Sequence, residues 1–359
     1  MKFNNTSPVY INAIGTAVPP TRMAQEQLDT LLTELYVDKV KPRTLELMHQ
    51  LFNHPSVKNR FIAAANFDEL KSIPQEIADT RIARFHKYAV ALSKEASEKA
   101  IAKAGIGLND ISALIINTCT GYICPGISTY VSEALGLPAN IPVYDLAGSG
   151  CGGAIPNLEL AATIATTNKN KAVLSVSVEI CSATFQMGDD PGLLVSNAIF
   201  GDGAAAAVLS SRPAGFKIIE TNSILLPEHR ELVRFTHKNG QLKNQLSSRL
   251  PAVVCKNVPV LIRTMLQEYN LNPLDIDLWA IHPGGEKILD GLQKNLELTD
   301  DHVALSRSIL EEYGNMSSPS VLFVLEKIML SKINHNANCV VTAFGAGMAA
   351  HSLYCSAQV

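Results

Sequence analysis

Short apolar segments alternate with helical patterns along most of this chain. Residues 9–14 predict a strand, and the highly charged residues 23–52 predict a long helical region. A second helix fits residues 81–104, because its apolar positions roughly follow helical spacing and glycines then close it. Six further strands are predicted at residues 113–116, 143–146, 172–178, 204–209, 279–281 and 339–342. Strands separated by helices favour an α/β fold whose sheet is covered on both faces.

An internal repeat indicates that this architecture is duplicated. Residues 109–116 (NDISALII) resemble residues 274–281 (LDIDLWAI) at an offset of 165 residues. The same offset places Cys151 opposite Met316, and each follows a glycine-containing turn and precedes a helix. A repeated unit of this length is too long for a solenoid and is typical of two α/β halves.

The repeat divides the chain into two domains, residues 1–213 and residues 214–359. Their boundary falls in the turn-forming segment Arg-Pro-Ala-Gly that begins at Arg212. Residues 218–250 are rich in polar and charged side chains, so we expect a surface excursion that opens the second half.

Composition excludes several classes of protein. Hydrophobic residues make up 47% of the chain and charged residues 18%, which is typical of a compact folded protein. The net charge of −3 provides no overall field for binding nucleic acid or an anionic membrane. The N-terminus does not resemble a signal peptide, and no apolar run reaches the roughly 18 residues of a membrane helix. We therefore expect a cytoplasmic protein without a membrane span.

The cysteines indicate free thiols. Their number, seven, is odd, and no pair has the spacing of a zinc ligand set. Unpaired cysteines are typical of a reducing compartment.

The segment around Cys151, Gly-Ser-Gly-Cys-Gly-Gly, is the strongest candidate for chemistry. Small residues on both sides place the sulfur between an apolar strand and a helix N-terminus, where backbone amides favour the thiolate. The alternatives are a buried structural cysteine and a phosphate loop. The phosphate loop is the weaker of these, because no Lys-Ser or Lys-Thr pair follows the glycines.

Two further polar residues follow predicted structural elements. His282 ends a buried strand before a Pro-Gly-Gly turn, at the edge where open α/β sheets place ligands. Asn315 precedes a helix, so it is either a functional amide or a helix N-cap. Cys151, His282 and Asn315 supply the groups of a cysteine hydrolase or of a thioester-condensing enzyme in which histidine and asparagine stabilise an enolate. The papain-type Cys-Gly-Ser-Cys-Trp signature is missing around Cys151, which makes hydrolysis the weaker interpretation.

Five motifs in order resemble those of the type III polyketide synthases, the chalcone synthase-like branch of the thiolase superfamily. The resemblance runs from about residue 9 to the C-terminus. The motifs are GCGG at 150–153, IFGDGAAA at 199–206, WAIHPGG at 279–285, YGNMSS at 313–318 and AFGAG at 343–347.

This resemblance implies a homodimer of duplicated α/β halves in the five-layered α-β-α-β-α thiolase arrangement. It implies that Cys151 is the acyl-carrying nucleophile and that an ion pair with His282 keeps it ready. It also implies that His282 and Asn315 bind the thioester carbonyl and stabilise the enolate oxygen. Phe200 matches the phenylalanine between the coenzyme A tunnel and the cavity; a core aromatic is its other interpretation. No metal or redox cofactor is implied, and malonyl-CoA and acyl-CoA are the substrates.

The residues that would set specificity differ from those of the plant enzymes. Alignment through residues 256–259 places Ala252 where the plant enzymes have a second phenylalanine. The smaller alanine would widen the cavity entrance for a long or bulky starter. Further residues match positions of the substrate cavity. They are Cys119, Thr120, Cys181, Thr184 and Gly345, together with Cys124, which in the family is pushed into the partner's cavity. Cys119 is either a second reactive thiol or a small packing residue.

The residues expected to bind coenzyme A also differ from those of the plant enzymes. Leu47, Gln50 and His54 replace cations that plant members use for the phosphates of coenzyme A. Lys58, Arg60 and Lys256 are the candidate replacements, since three phosphates require two or three nearby cations, and Gly284 and Gly285 are expected at the same site. If these cations do not take that role, an acyl carrier protein delivers one substrate.

The resulting hypothesis is iterative decarboxylative Claisen condensation. An acyl starter loads on Cys151, malonyl units extend it, and the chain cyclises to a pyrone or phenolic ring. The alternatives are a ketosynthase III-like enzyme joining two acyl chains once, a cysteine hydrolase, and a silent scaffold.

Overall fold

A computed structural model describes residues 1–3, 7–168 and 170–358. The strands are β1 Tyr10–Ala17, β2 Thr21–Ala24, β3 Asn59–Ile62, β4 Ile111–Thr118, β5 Val143–Ala147, β6 Ala172–Ile180, β7 Asp202–Ser210, β8 Gly215–Leu225, β9 Val233–Lys238, β10 Gln241–Leu246, β11 Leu278–Ile281, β12 Asn338–Gly345 and β13 Ala349–Gln358. The helices are α1 Gln25–Tyr36, α2 Pro42–Phe52, α3 Phe67–Ser72, α4 Ala78–Ala104, α5 Ile127–Leu135, α6 Ala154–Thr167, α7 Pro191–Ile199, α8 Leu250–Gln267, α9 Glu286–Leu296, α10 Asp300–Tyr313 and α11 Ser320–Leu330.

The central sheet repeats one topology twice. Its strand order across the described residues is β11-β12-β13-β8-β1-β7-β6-β4-β5. In the first half β4 is parallel to β6, which is antiparallel to β7, and β11, β12 and β13 have the same relationship in the second half. The halves meet where β1 pairs with β8 at Tyr10–Lys217 and Ile11–Phe216. The predicted duplication is therefore present in the strand order.

The apolar core divides into layers. Along β4, Ala113 and Ile115 pack in a cluster with α6 and α11, whereas Leu114 and Ile116 face α4 and α5. The second half of the sheet has α6 and α11 on one face and α8 and α9 on the other. Strands buried on both faces are apolar at successive positions, because side chains alternate between the faces. This confirms the five-layered α-β-α-β-α arrangement, with α6 and α11 in the middle.

Two predicted segments differ from the structure. The expected helix at 23–52 is interrupted: β2 comes first, and α1 and α2 are separate helices, with Pro42 at the first position of α2. Proline is favoured there, because its missing N–H has no partner within the helix. The expected surface excursion at 218–250 is partly wrong, because β8 belongs to the central sheet; only β9 and β10 form a separate two-stranded hairpin.

Candidate active site

The turn that carries Cys151 is built from glycines. Gly148 and Gly150 have φ values of +90° and +54°, a region that residues with a side chain rarely adopt. A single turn of 3₁₀ helix at Gly150–Gly152 then leads into α6, so the thiol lies just before a helix N-terminus. The sequence predicted this placement of Cys151.

The second half of the chain supplies His282 and Asn315. His282 follows β11, is fully buried, and lies edge-on to the ring of Phe344 with centroids 5.3 Å apart. Among the described residues, neither ring nitrogen of His282 has a hydrogen-bond partner. Asn315 follows α10; its Nδ2 donates to Gly284 O at 3.5 Å and its Oδ1 accepts from Ser317 N at 2.7 Å. Because α11 begins at Ser320, the interpretation of Asn315 as a helix N-cap is wrong.

These three side chains line one cavity, here called the catalytic cavity. Phe200, Gly284 and Gly345 contribute to it as well, and the remaining wall is apolar. That wall consists of Ile199, Val233, Leu246, Leu250, Val254, Ile288, Phe344 and Met348. A thiol, an imidazole and an amide therefore meet in an apolar pocket, although 131 residues of sequence separate the first two.

Burial shifts the pKa values of the two ionisable groups, Cys151 and His282. It raises the pKa of the Cys151 thiol to about 12, although hydrogen bonds from Ser317 and Asn315 oppose the change. It lowers the pKa of His282 to about 3. Both shifts disfavour the charged forms, whereas the ion pair implied by the resemblance requires them, and that ion pair stays a prediction. The physical cause of both shifts is that a buried pocket disfavours the charged form of each group.

Cys151 also lines a second cavity, here called the extension cavity. Cys119, Thr120, Cys181 and Thr184 all line it, beside Phe200 and Ser317. The structure thus brings together four of the positions that the resemblance assigned to the substrate cavity.

Sequence reasoning missed Glu179, which lies behind this wall. It is fully buried at the end of β6 and accepts hydrogen bonds from Cys119 N, Thr120 N, Thr120 Oγ1 and Ser318 Oγ at 2.8–3.1 Å. Burial raises the pKa of Glu179, while the bonds from Cys119, Thr120 and Ser318 lower it. The available signal was a single carboxylate in an otherwise uncharged strand, AVLSVSVEI.

A third cavity, the side chamber, opens beside the extension cavity. The two share Cys181, Thr184, Phe200 and Asn244. Most of the remaining chamber wall is aliphatic and comes from α1, β3, α7, and α3 with its C-cap residue: Leu28, Leu31, Leu32, Ile62, Leu70, Ile73 and Leu193. Phe200 lines all three cavities, so it lies at their junction.

The candidates for coenzyme A binding are only partly suited to that task. Arg60 is a correction: it is 4% exposed, and it donates to Gln25 Oε1, Asn197 O and Phe200 O at 2.5–2.9 Å. A buried guanidinium with three of its N–H groups already bonded to this chain is poorly placed to bind a phosphate. Lys58 is exposed but forms an ion pair with Glu311, and Lys256 is exposed on α8. Gly285 is the N-cap residue of α9.

Two residues that the resemblance assigned to the substrate cavity, Ala252 and Cys124, line none of these three cavities. Ala252 is exposed and lines none of the three cavities described above; Leu250 and Val254 of α8 do so instead. Residues two apart on a helix point to different sides, which explains the difference. Cys124 is also exposed and outside these cavities. Its expected role requires a partner subunit and stays a prediction.

The described residues show neither a metal-binding cluster nor a membrane-spanning helix. In these residues no three His, Cys, Asp or Glu side chains form a group that could hold a metal ion. No described helix is long and apolar enough to cross a membrane. All seven cysteines are free thiols.

Comparisons with known proteins show the family of this chain. The family models "Chalcone and stilbene synthases, N-terminal domain" and "C-terminal domain" match residues 1–213 and 217–356. A relative from Mycobacterium tuberculosis, "Alpha-pyrone synthesis polyketide synthase-like Pks18", is 29% identical over 96% of this chain and 90% of its own.

Solved structures show the same fold. PKS-I from the brown alga Ectocarpus siliculosus is 25% identical with a TM-score of 0.88, and each chain is covered completely. The 1,3,6,8-tetrahydroxynaphthalene synthase of Streptomyces coelicolor A3(2), titled a bacterial type III polyketide synthase, is 24% identical with a TM-score of 0.88, over 98% of this chain and 99% of its own. This chain therefore belongs to the chalcone and stilbene synthase family, the type III polyketide synthases, which are acyltransferases.

Proposed function

We propose that Cys151 carries an acyl starter and that malonyl units extend it by decarboxylative condensation, followed by cyclisation to a pyrone or phenolic ring. One observation carries this proposal: Cys151, His282 and Asn315 line a single, largely apolar cavity. The relative named for α-pyrone synthesis and the tetrahydroxynaphthalene synthase support a pyrone or phenolic product.

Loading transfers the starter from its thioester to Cys151. The deprotonated sulfur attacks the thioester carbonyl, a new C–S bond forms, the old C–S bond breaks, and the leaving thiolate takes up a proton. The neutral ring of His282 has one acceptor nitrogen for the proton of Cys151 and one N–H donor. The high pKa of Cys151 makes this proton transfer a necessary part of loading.

Extension begins when the malonyl thioester loses carbon dioxide. The electron pair of the broken C–C bond forms an enolate, whose oxygen would accept from His282 N–H and Asn315 Nδ2. The enolate carbon then attacks the acyl group, a C–C bond forms, and Cys151 leaves as a thiolate. Neither step involves oxidation or reduction, so the proposal names no cofactor besides the thioester substrates.

Phe200 is proposed to favour the loss of carbon dioxide. Its ring lies where the catalytic cavity meets the other two. An apolar ring solvates a carboxylate poorly and carbon dioxide well, so it favours the neutral product.

The side chamber supports an aliphatic starter. Its leucine and isoleucine wall offers few hydrogen-bond partners to a polar group but matches a hydrocarbon tail, and burial of each methylene contributes about 0.8 kcal/mol. A starter held by Cys151 would reach this chamber through the extension cavity, past Thr184 and Cys181.

Coenzyme A is proposed to enter beside α8 and α9. Lys256 on α8 and Lys58 are the remaining cationic candidates, with Gly284 and Gly285 at the start of α9. Lys58 would have to leave Glu311 to bind a phosphate. This shortage of free cations keeps an acyl carrier protein as the alternative donor of one substrate.

A homodimer is proposed from the edge of the sheet. Strand β5 forms that edge, and its Val143 and Tyr144 are 37% and 41% exposed. Exposed apolar side chains on an edge strand are typical of a surface that pairs with another chain. We also propose that the halves divide at residues 213 and 214, and that the free thiols suit the cytoplasm.

The test uses carbon-13-labelled malonyl-CoA with short, aromatic and long-chain acyl-CoA starters, followed by mass spectrometry. Two or more labelled acetate units in one product are expected, whereas one unit would favour the ketosynthase III-like alternative. Cys151→Ala should abolish products while carbon dioxide release persists. Cys255→Ala, at a half-buried thiol outside all three cavities, is the matched control. Starter hydrolysis without carbon dioxide release would overturn condensation in favour of a cysteine hydrolase.

A further inference from the structure

We propose that a buried network of Glu76, Arg84, Ser182 and Asp202 positions the Cys181–Thr184 turn and thereby selects the length of acyl chain that the enzyme accepts. These are positioning residues, and the inference rests on the proposed function. The turn is a four-residue stretch of 3₁₀ helix that follows β6. It carries Cys181 and Thr184, two of the side chains that line both the extension cavity and the side chamber.

Arg84 holds the turn from the side of α4. Its Nε and Nη2 donate to the two carboxylate oxygens of Glu76, both at 2.8 Å. Nη2 also donates to Ser182 O at 3.0 Å, and Nη1 donates to Ser182 Oγ at 2.7 Å and Ala63 O at 3.3 Å. All five N–H groups of the guanidinium therefore have an acceptor. The side chains of the ion pair are only 3% and 5% exposed.

Asp202 holds the same turn from the opposite side. Its Oδ1 accepts from Ser182 N at 2.8 Å, and its Oδ2 accepts from Ser182 Oγ at 2.5 Å and Ala63 N at 2.6 Å. Ser182 is thus fixed at its amide, its carbonyl and its hydroxyl. Since Asp202 lies two residues after Phe200, this network links the turn to the aromatic ring at the junction of the cavities.

Arg81 adds a second cationic support. It lies one helical turn before Arg84 on α4 and donates to the carbonyl oxygens of Phe185, Ala183 and Ile73. The carbonyls at residues 182, 183 and 185 therefore all accept from arginines of one helix. A shift of residues 182–185 against α4 would therefore move Cys181 and Thr184, and with them the boundary between the extension cavity and the side chamber.

The buried Glu76–Arg84 ion pair supports a positioning role for this network. Burying an ion pair is costly, and well-packed apolar residues of similar volume give comparable or greater stability. What the bidentate pair adds is a fixed direction for its donors. That direction determines where the carbonyl and hydroxyl of Ser182, and with them Cys181 and Thr184, are held.

The experiment measures chain-length selection. Wild type, Ser182→Ala and Arg84→Lys are incubated with acyl-CoA starters from acetyl to palmitoyl; acylation of Cys151 is followed by intact mass, and product length is measured with labelled malonyl-CoA. Ser182→Ala removes the hydroxyl bridge while keeping the backbone contacts, so it remains informative if Arg84→Lys does not fold. Glu98→Gln, at an exposed pair with Lys94, is the control.

We expect the long-to-short ratio of kcat/KM to change about tenfold in Ser182→Ala, a size typical of a changed pocket contact. The acylation profile of Cys151 should shift in the same direction, and Glu98→Gln should match wild type. An unchanged ratio in folded Ser182→Ala, with only a uniform fall in kcat, would overturn the inference while leaving the proposed function intact. A wild type that loads no acyl group on Cys151 would overturn both.

Discussion

Gly345 lies directly against the backbone of Cys151. A Cβ atom placed at Gly345 would be 2.8 Å from Cys151 N and 2.5 Å from both Gly152 N and Ser149 O. Strand β12 ends at Gly345, so the second half of the chain supports the turn that the first half supplies. The position of the nucleophile therefore depends on contact between the two halves.

Gly345→Ala is expected to displace this turn, because its close neighbours are backbone atoms. We expect kcat to fall at least about tenfold, since small misplacements of reacting groups are costly. Steady-state kinetics checks this result. Gly188→Ala is the matched control, because its Cβ would meet only Leu193 Cδ1, at 3.9 Å. Wild-type kinetics in Gly345→Ala would show that the turn is not held by β12.

Alkylation of Cys151 should increase steadily with pH in the free enzyme. With a pKa of about 12, the thiolate fraction rises about tenfold per pH unit between pH 7 and pH 10. Iodoacetamide labelling, followed by peptide mass spectrometry, measures this rate separately from the other cysteines. A plateau that begins below pH 7 would instead indicate the thiolate–imidazolium pair that the family resemblance implies.

Burial of His282 should make the fold sensitive to acid. Its pKa is about 3 when folded and about 6.5 when unfolded, so below pH 6.5 the unfolded state binds a proton that the folded state lacks. Stability is thus complete above pH 6.5 and falls as the pH decreases, by about 2 kcal/mol at pH 5 from this group alone.

Urea unfolding at pH 7 and pH 5 tests this effect. His282→Gln should lose about 2 kcal/mol less than wild type between these two pH values. His237→Gln, at an exposed position, is the control. Equal acid sensitivity in His282→Gln and wild type would contradict the depressed pKa of His282.

Substitution of Arg60 should affect stability, whereas substitution of Lys256 should affect substrate binding. Arg60→Met would leave Gln25 Oε1 and the carbonyls of Asn197 and Phe200 without a donor, so we expect a loss of about 3 kcal/mol in the free energy of unfolding. Lys256→Ala should fold normally and raise the KM for acyl-CoA. The reverse pattern, in unfolding and kinetic measurements, would restore Arg60 as a phosphate ligand.

The side chamber gives a prediction for the starter. Leu193→Phe fills part of its aliphatic wall, so kcat/KM for dodecanoyl-CoA should fall about tenfold while that for acetyl-CoA is kept. Leu330→Phe, at a side chain that is 70% exposed, is the control. An equal loss for both starters in competition assays would place the aliphatic tail elsewhere.

The elements that were predicted correctly are those whose signals are local. The strand at 113–116 was recognised because four successive apolar residues indicate burial on both faces, and the end of α4 because Gly105 takes a positive φ of 64°. The division of 23–52 into β2, α1 and α2 was missed, because a charged segment with partial periodicity does not show where a short strand pairs with β3.

The sequence by itself determined the duplicated α/β architecture, the family, and the candidates Cys151, His282 and Asn315. The architecture and the candidate residues depend on short-range features: strand periodicity, a glycine turn before a helix, and residues that end a strand. The family depends on the resemblance of five ordered motifs to those of known enzymes. Only the tertiary structure decided that Arg60 supports Phe200, that Leu250 and Val254 rather than Ala252 line the cavity, that Glu179 lies behind it, and that Cys151 and His282 are buried enough for their charged forms to be disfavoured. The physical reason is that burial and hydrogen-bond partners come from residues distant in the chain, and these contacts set both the pKa of a group and its freedom to bind substrate.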